Sequence, residues 1–256
     1  MDAVKGFFHQ KWVQKGGAVL LALLVWQGVA LAIGEVLILP TPLAVLARLF
    51  TIWTESGFWG AVGLTVLRIA LGFLAAFVLG VLLALAAGRW RVVETLLFPY
   101  MAVVKAVPVA CFIVLLYVWL SSRSIASFIA FLIVLPTVYT GVLSGSRAED
   151  KALKEMADVF CLSPVRRLLS VRLPQLEPYV ISAVSLGTGL AFKSGIAAEI
   201  LSLPAGSVGE MLYYASLWLQ SVDLYAWTVV LVLVSILFEK LAVLLFRLAF
   251  RGIRNV

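Results

Sequence analysis

The sequence predicts an all-α, polytopic membrane protein with about six transmembrane helices, and three observations carry that prediction. First, 63% of the 256 residues are hydrophobic and the mean hydropathy is +1.10, too apolar for a soluble domain of this length. Second, six runs reach the roughly 20 mostly apolar residues that a helix needs to cross a bilayer. They are residues 18–37, 60–87, 99–120, 124–145, 178–198 and 226–246, long and continuous where a β-barrel would show short alternating segments. Third, the basic residues sort by side. With the N-terminus in the cytoplasm, Lys5, Lys11, Lys15, Arg89, Arg91, Arg147, Lys151, Lys154, Arg166, Arg167, Arg172, Arg247, Arg251 and Arg254 lie inside, against Arg48 and Arg123 outside. Positive charge marks the cytoplasmic side, so both termini are expected there. The net charge of +7 is thus a signal of topology and does not point to nucleic acid.

In order along the chain, residues 1–17 read as a cytoplasmic tail. Its lysines, the apolar run after them and Ala30-Leu31-Ala32 imitate a signal peptide. The run is long enough to span and continues through Val36-Leu37-Ile38-Leu39, so an uncleaved span is expected. Leu39-Pro40-Thr41-Pro42 makes a stiff outer turn, because proline fixes φ and lacks a donor. Pro42 then opens a surface helix with Leu43, Leu46, Leu49 and Phe50 as its apolar stripe. Trp53, Phe58 and Trp59 suit the membrane interface. The second span ends inside at Gly88-Arg89-Trp90-Arg91, and the third carries Pro99 and Pro108, which predict a bend or local unwinding. Residues 199–225 form an outer amphipathic segment with Leu212, Tyr213, Leu217 and Trp218 on a short helix.

Residues 147–177 break the pattern. They hold eleven of the chain's 33 charged residues between two apolar runs. Leu153, Met156, Ala157 and Phe160 fall at i, i+3, i+4 and i+7, with Glu149, Lys151, Lys154, Glu155 and Asp158 off that stripe. Ser163-Pro164 restarts a second helix as cap and first residue, with Val165, Leu168 and Leu169 opposing Arg166, Arg167 and Ser170. Leu173-Pro174 is expected to end it before the fifth span. Such a helix–turn–helix either docks a cytoplasmic partner or lies on lipid headgroups.

Catalytic chemistry is hard to find. An intramembrane serine protease needs a serine beside a base, usually histidine. The chain's one histidine is His9 in the tail, and Gly141-Val142-Leu143-Ser144-Gly145 has one residue too many for G-x-S-G. The stretch from Gly187 to Ser194 imitates a phosphate-binding loop, but Phe192 stands where the last glycine belongs and the segment lies within a span. Nothing in the chain reads as hydrolysing a nucleotide. Cys111 and Cys161 lie far apart in the topology, so neither a disulfide nor a metal site is expected.

Arg68, Lys105 and Lys193 lie within spans without an acidic residue at similar depth, a pattern that suggests an anionic substrate or a polar path. Arg68 and Lys105 sit near span ends and could equally snorkel to the interface. Lys193 could pair with Glu199 if Gly187, Gly189 and Gly195 loosen the helix, or those glycines permit close packing.

Glu155-Met156-Ala157, Cys161 and Val171-Arg172-Leu173-Pro174 resemble the EAA loop of binding-protein-dependent ABC importer permeases. That pattern is E-A-A, three residues, G, nine residues, I-x-L-P, and the spacing holds throughout. Met156, Cys161 and Val171 depart in residue type, and Cys161 in place of glycine implies a more open turn. Further segments resemble the nitrate, sulfonate and taurine branch: Leu39 to Leu43, Leu67 to Phe73, Gly88-Arg89 through Pro99, Lys105-Ala106-Val107-Pro108 and Ala197-Ala198-Glu199. Ser121-Ser122-Arg123-Ser124 departs from that branch's glycine-containing turn.

The resemblance implies a type I ABC importer permease fold in one transmembrane domain over residues 1–256, in a prokaryotic cytoplasmic (inner) membrane. It implies that residues 147–177 couple to a cytoplasmic ABC ATPase dimer through Glu155, Met156, Ala157, Asp158, Cys161, Arg166, Arg167, Leu173 and Pro174. Arg68, Lys105, Pro108, Lys193 and Glu199 become candidates for the translocation path. An extracytoplasmic solute-binding protein, a second copy of the chain and membrane lipid are the other expected partners. The chain itself needs no cofactor, since ATP would be bound by a separate subunit. The solute would be a small anion of sulfonate, taurine or nitrate type, or a vitamin precursor or other small solute. A secondary transporter or channel is the alternative from another class. It would show paired intramembrane carboxylates or an internal repeat, and neither is visible in the sequence.

Overall fold

A computed structural model describes the backbone of residues 2–254. The side chains of residues 1–13, 15 and 253–256 lie outside the described residues, and with them Lys5, His9, Lys11, Lys15 and Arg254. The described chain is helical, with no strand. In order run α1 (Asp2–Ile33), α2 (Pro42–Ile52), α3 (Phe58–Arg89), α4 (Arg91–Ala106), α5 (Val109–Leu116) and α6 (Ser122–Arg147). They are followed by α7 (Lys151–Val159), α8 (Pro164–Arg167), α9 (Leu173–Ser202), α10 (Val208–Leu217) and α11 (Ser221–Arg254). Among the described residues, five helical stretches are long and apolar enough to cross a membrane, six if the bent pair α4–α5 counts as one.

The prolines explain where helices start and bend. Pro42 opens α2 at a position whose N–H would be unpaired anyway, and Thr41 caps it by accepting the Ala44 N–H at 3.2 Å. Pro99 sits inside α4 without ending it. Pro108 breaks the third run: Val107 before it is extended at φ −80°, ψ 132°, and α4 and α5 diverge by 101°. Pro174 behaves differently from expectation. The helix begun at Pro164 does not end at Leu173-Pro174 but continues through Leu168–Arg172 into α9. Those five residues form a π-turn in which the Leu173 N–H reaches back to the Leu168 carbonyl, and this wider turn accommodates a residue with no N–H to give.

The backbone gathers into two compact units: Met1–Trp59 with Met211–Val230, and Gly60–Glu210 with Leu231–Val256. The boundaries fall within or beside helices and not in linkers, so composition gives them no signal. In the larger unit α6 packs extensively along α9. Its core joins Ile69, Phe73 and Ala76 of α3, Val134, Val138 and Val142 of α6, and Val184, Ala191 and Phe192 of α9. Phe238 of α11 meets Phe192 at 5.1 Å between ring centroids. Small residues allow these approaches: a Cβ on Gly72 would stand 2.2 Å from the Ser127 carbonyl oxygen.

In the smaller unit, α1 stays exposed along most of Gly16–Ile33. Its Trp26 indole donates to the Pro40 carbonyl at 3.1 Å, tying the helix to the proline turn that follows it. The stripe expected on α2 is not the side that packs. Leu43, Leu46 and Phe50 are exposed, while Pro42, Val45 and Ile52 are buried, as suits a helix that lies against lipid on its more apolar side. Arg48 binds Glu55 at 2.5 Å and also Asp223 of α11. The Glu55 hydrogen bond, then Asp223, raises Arg48 above the ordinary guanidinium value against the opposing effect of burial.

Candidate functional site

Two groups of charged residues stand out, one buried near the end of α9 and one exposed in the loop between α6 and α9. The buried group begins with the end of α9. Leu203 takes a left-handed conformation at φ 46° and stops the helix, and Pro204 to Ser207 turn the chain into α10. The first N–H groups of α10 have no partner within their own helix, yet each finds one outside it. Val208 N–H donates to Thr65 Oγ1 at 3.0 Å, Gly209 N–H to Glu199 Oε2 at 3.3 Å, and Glu210 N–H to Ser207 Oγ at 3.0 Å. Glu210 in turn accepts the Gly206 N–H at 2.6 Å.

Glu199 is fully buried and holds this arrangement together. Besides Gly209 it accepts from Thr65 Oγ1 at 2.7 Å and Arg68 Nη1 at 3.1 Å, the latter an ion pair. A carboxylate that would be prohibitive alone in a membrane core thus has a cation, a hydroxyl and a helix N-terminus around it. Gly209 is required by the fit, since a Cβ there would stand 2.3 Å from Glu199 Cβ.

This arrangement corrects the picture of three cations without an acid. Arg68 pairs with Glu199, and Lys193, one of two readings for that partner, is exposed six residues earlier on an unbroken α9, so the alternative of glycines that permit close packing is the one observed. Gly187 and Gly195 serve close packing against Phe73 and Ile69, whereas Gly189 faces open space. A second carboxylate also lies within a span: Glu239 of α11 accepts from Ser185 Oγ of α9 at 2.5 Å. Sequence reasoning missed Glu239, although it stands in plain view in the last apolar run. Thr65 was missed as well, and its spacing of three residues from Arg68 on α3 was the available signal. Lys105, Pro108 and Lys193 make no contact with the Glu199 network. Lys105 lines a separate cavity of about 290 Å³ with Phe98, Met101, Tyr139 and Leu143, and Pro108 is the N-cap residue of α5.

The exposed group is the loop after α6. Asp150 caps α7 by accepting the Ala152 N–H at 2.9 Å, and its own N–H donates to Gln175 Oε1 at 2.7 Å. Arg172 pairs with Glu149 at 2.7 Å and Arg167 with Asp158 at 2.6 Å. The turn after α7 is tight, not open. Leu162 N–H bonds the Ala157 carbonyl and Cys161 N–H the Asp158 carbonyl, the paired closure of a Schellman turn, with Cys161 left-handed at φ 49° where glycine is usual. Of the expected stripe only Ala157 is buried. Met156 is 41% exposed and Phe160 71%, and Val159 and Val165 beside them are also exposed. Glu155, Arg166 and the Arg167–Asp158 pair border this apolar surface, and Glu155 and Arg166 make no ion pair among the described residues. Leu173 and Pro174 are half-buried at the root of α9. A loop tied by its own cap, turn bonds and ion pairs that still exposes both hydrophobes and unspent charges has the make-up of a protein interface.

Comparison with known proteins identifies relatives of the chain. Residues 76–255 match the family described as the binding-protein-dependent transport system inner membrane component. An ABC transporter permease protein of Haemophilus influenzae is 29% identical over 84% of this chain and 87% of its own length. An aliphatic sulfonates transport permease protein of Bacillus subtilis is 26% identical over 90% of this chain and 83% of its own. A taurine transport system permease protein of Escherichia coli is 26% identical, covering 87% and 83%.

Proposed function

We infer the function from the premise that the chain belongs to the family of binding-protein-dependent transport system inner membrane components. It is a permease subunit of an ABC importer of the nitrate, sulfonate and taurine branch, a multi-pass protein of the bacterial inner membrane and not an enzyme. The family implies an ATPase and a solute-binding protein as partners.

Within that frame, the loop of residues 147–177 seats in the ATPase. The observation that carries this reading is the uncovered apolar surface of Met156, Val159, Phe160 and Val165 on a loop whose own turn, cap and ion pairs are complete. Burying that surface against a partner supplies the attraction, and Glu155 supplies a charge-assisted contact with a basic residue of the ATPase. One such loop per chain suits a homodimeric core on a pair of ATPases, which bind the ATP. Closure of the ATPases then rocks the two permease copies between inward- and outward-facing states. The outer segments around residues 40–58 and 199–225 receive the loaded binding protein. The solute is a small anion of the kind the relatives' names state, guided by Lys105 and Lys193, whose charges no carboxylate neutralises among the described residues.

The test is gentle detergent purification of the tagged chain from its native membrane, with mass spectrometry of what accompanies it. A stoichiometric ATPase is expected, and the ligand of a copurified binding protein names the solute. A homo-oligomer without any ATPase, even with a photocrosslinker in place of Glu155, sinks the docking assignment.

A further inference from the structure

We propose that a cavity at the junction of α3, α4 and α6 binds the phosphate headgroup of an anionic phospholipid. The cavity, of about 420 Å³, is lined by Ala87, Gly88, Arg89, Arg91, Glu94 and Arg147. Three helix ends meet there: Arg89 is the last residue of α3, Arg91 the first of α4 and Arg147 the last of α6. The one carboxylate is already engaged, since Glu94 accepts from Arg147 at 2.5 Å. Arg89 and Arg91 make no ion pair among the described residues, so the cavity carries an uncompensated positive charge. Trp90 contributes no side-chain cap to α4, whose first residue, Arg91, lines the cavity.

Basic residues near a span end are ordinary, but their convergence on one cavity is not explained by topology alone. The level in the membrane favours a lipid over a soluble anion. α3 and α6 are both candidate spans, and both end at the arginines that line the cavity, the level at which lipid phosphates lie. Trp90, between the two unpaired arginines, is 59% exposed, as an aromatic anchor at the interface would be. Val92 and Leu96 of α4 are also exposed, with Val93 between them turned to the core, and give acyl chains a surface to follow. Gly88 lines the cavity without a side chain, and an added Cβ there would stand no closer than 3.4 Å to its nearest neighbour beyond its own helix, Ser146 Oγ, an ordinary contact.

The experiment follows thermal unfolding of the full chain in neutral detergent while phosphatidylglycerol, phosphatidylcholine or inorganic phosphate is titrated in. Phosphatidylglycerol is expected to raise Tm and the other two are not. Removing a basic residue at the membrane surface costs about fivefold in affinity for anionic lipid, so Arg89→Gln with Arg91→Gln should raise the half-maximal phosphatidylglycerol concentration by about 25-fold. Gly88→Leu fills the cavity and keeps all three arginines; it should weaken the lipid effect comparably, and it decides the matter if the double variant does not fold. Equal stabilisation of wild type and variants by phosphatidylglycerol overturns the proposal. So does equal stabilisation by inorganic phosphate, which would mark a site for soluble oxyanions.

Discussion

The Glu199 network and the loop of residues 147–177 use the same residue types for opposite ends. Around Glu199, carboxylate, guanidinium, hydroxyl and helix N–H groups satisfy one another, and Glu199 itself has no exposed surface. In the loop, ion pairs and a cap hold the backbone, while Glu155 and a row of hydrophobes remain uncommitted. The difference teaches how to sort charges in a membrane protein. A charge whose partners are all intramolecular fixes a shape; a charge left over on a rigid, partly apolar surface is available to another molecule.

Exchanging one residue in each region tests that distinction, and the largest effect should come from the buried side. Glu199→Ala leaves Arg68 without its counter-charge and strips the Gly209 N–H of its acceptor, a loss of about 3–5 kcal/mol for breaking a buried pair. The expected result is poor accumulation in membranes and a lower Tm in detergent. Normal accumulation and Tm would show that the network is not structural and return Glu199 to the translocation path. Glu155→Lys should do the reverse. Glu155 is exposed and makes no ion pair among the described residues, so accumulation and Tm stay within about 0.5 kcal/mol of wild type, the usual range for surface changes, while solute uptake is lost. Normal uptake by this variant would refute the coupling role.

Lys193→Ala has a smaller expected effect and sharpens the comparison from inside a span. Lys193 is exposed and makes no ion pair among the described residues, so the variant should accumulate normally and take up solute more slowly. A drop in accumulation with unchanged specific uptake would make it a structural lysine.

Much of this architecture was legible before any coordinates, because hydropathy and proline chemistry act locally. The long apolar runs, the break at Pro108 and the start of α2 at Pro42 all follow from neighbours in sequence. The Glu199 network does not, since Arg68 lies 131 residues from its partner and no periodicity links them. Nor could sequence say that the α7 stripe stays uncovered: amphipathicity shows that a face wants burial, not whether its own chain supplies it. The continuation through Pro174 escaped for a different reason. Proline reads as a stop, and only the π-turn before it removes the conflict.

Cys161 offers the smallest effect and the finest test of the loop. Its φ of 49° lies in the left-handed region, which costs an L-residue with a Cβ about 1–2 kcal/mol and costs glycine almost nothing. Cys161→Gly therefore removes strain in the folded state, offset by the greater freedom glycine gives the unfolded chain, about 0.4–1 kcal/mol. The thiol is exposed, so little packing is lost with it. The net expectation is a gain of about 0.5 kcal/mol, read as a slightly higher Tm, with the paired turn bonds of Cys161 and Leu162 unchanged. If the loop needs only to be rigid for coupling, uptake is preserved together with that gain. A fall in Tm would show that the side chain contributes more than its conformation costs, and a fall in uptake at unchanged Tm would place Cys161 itself on the surface that meets the ATPase.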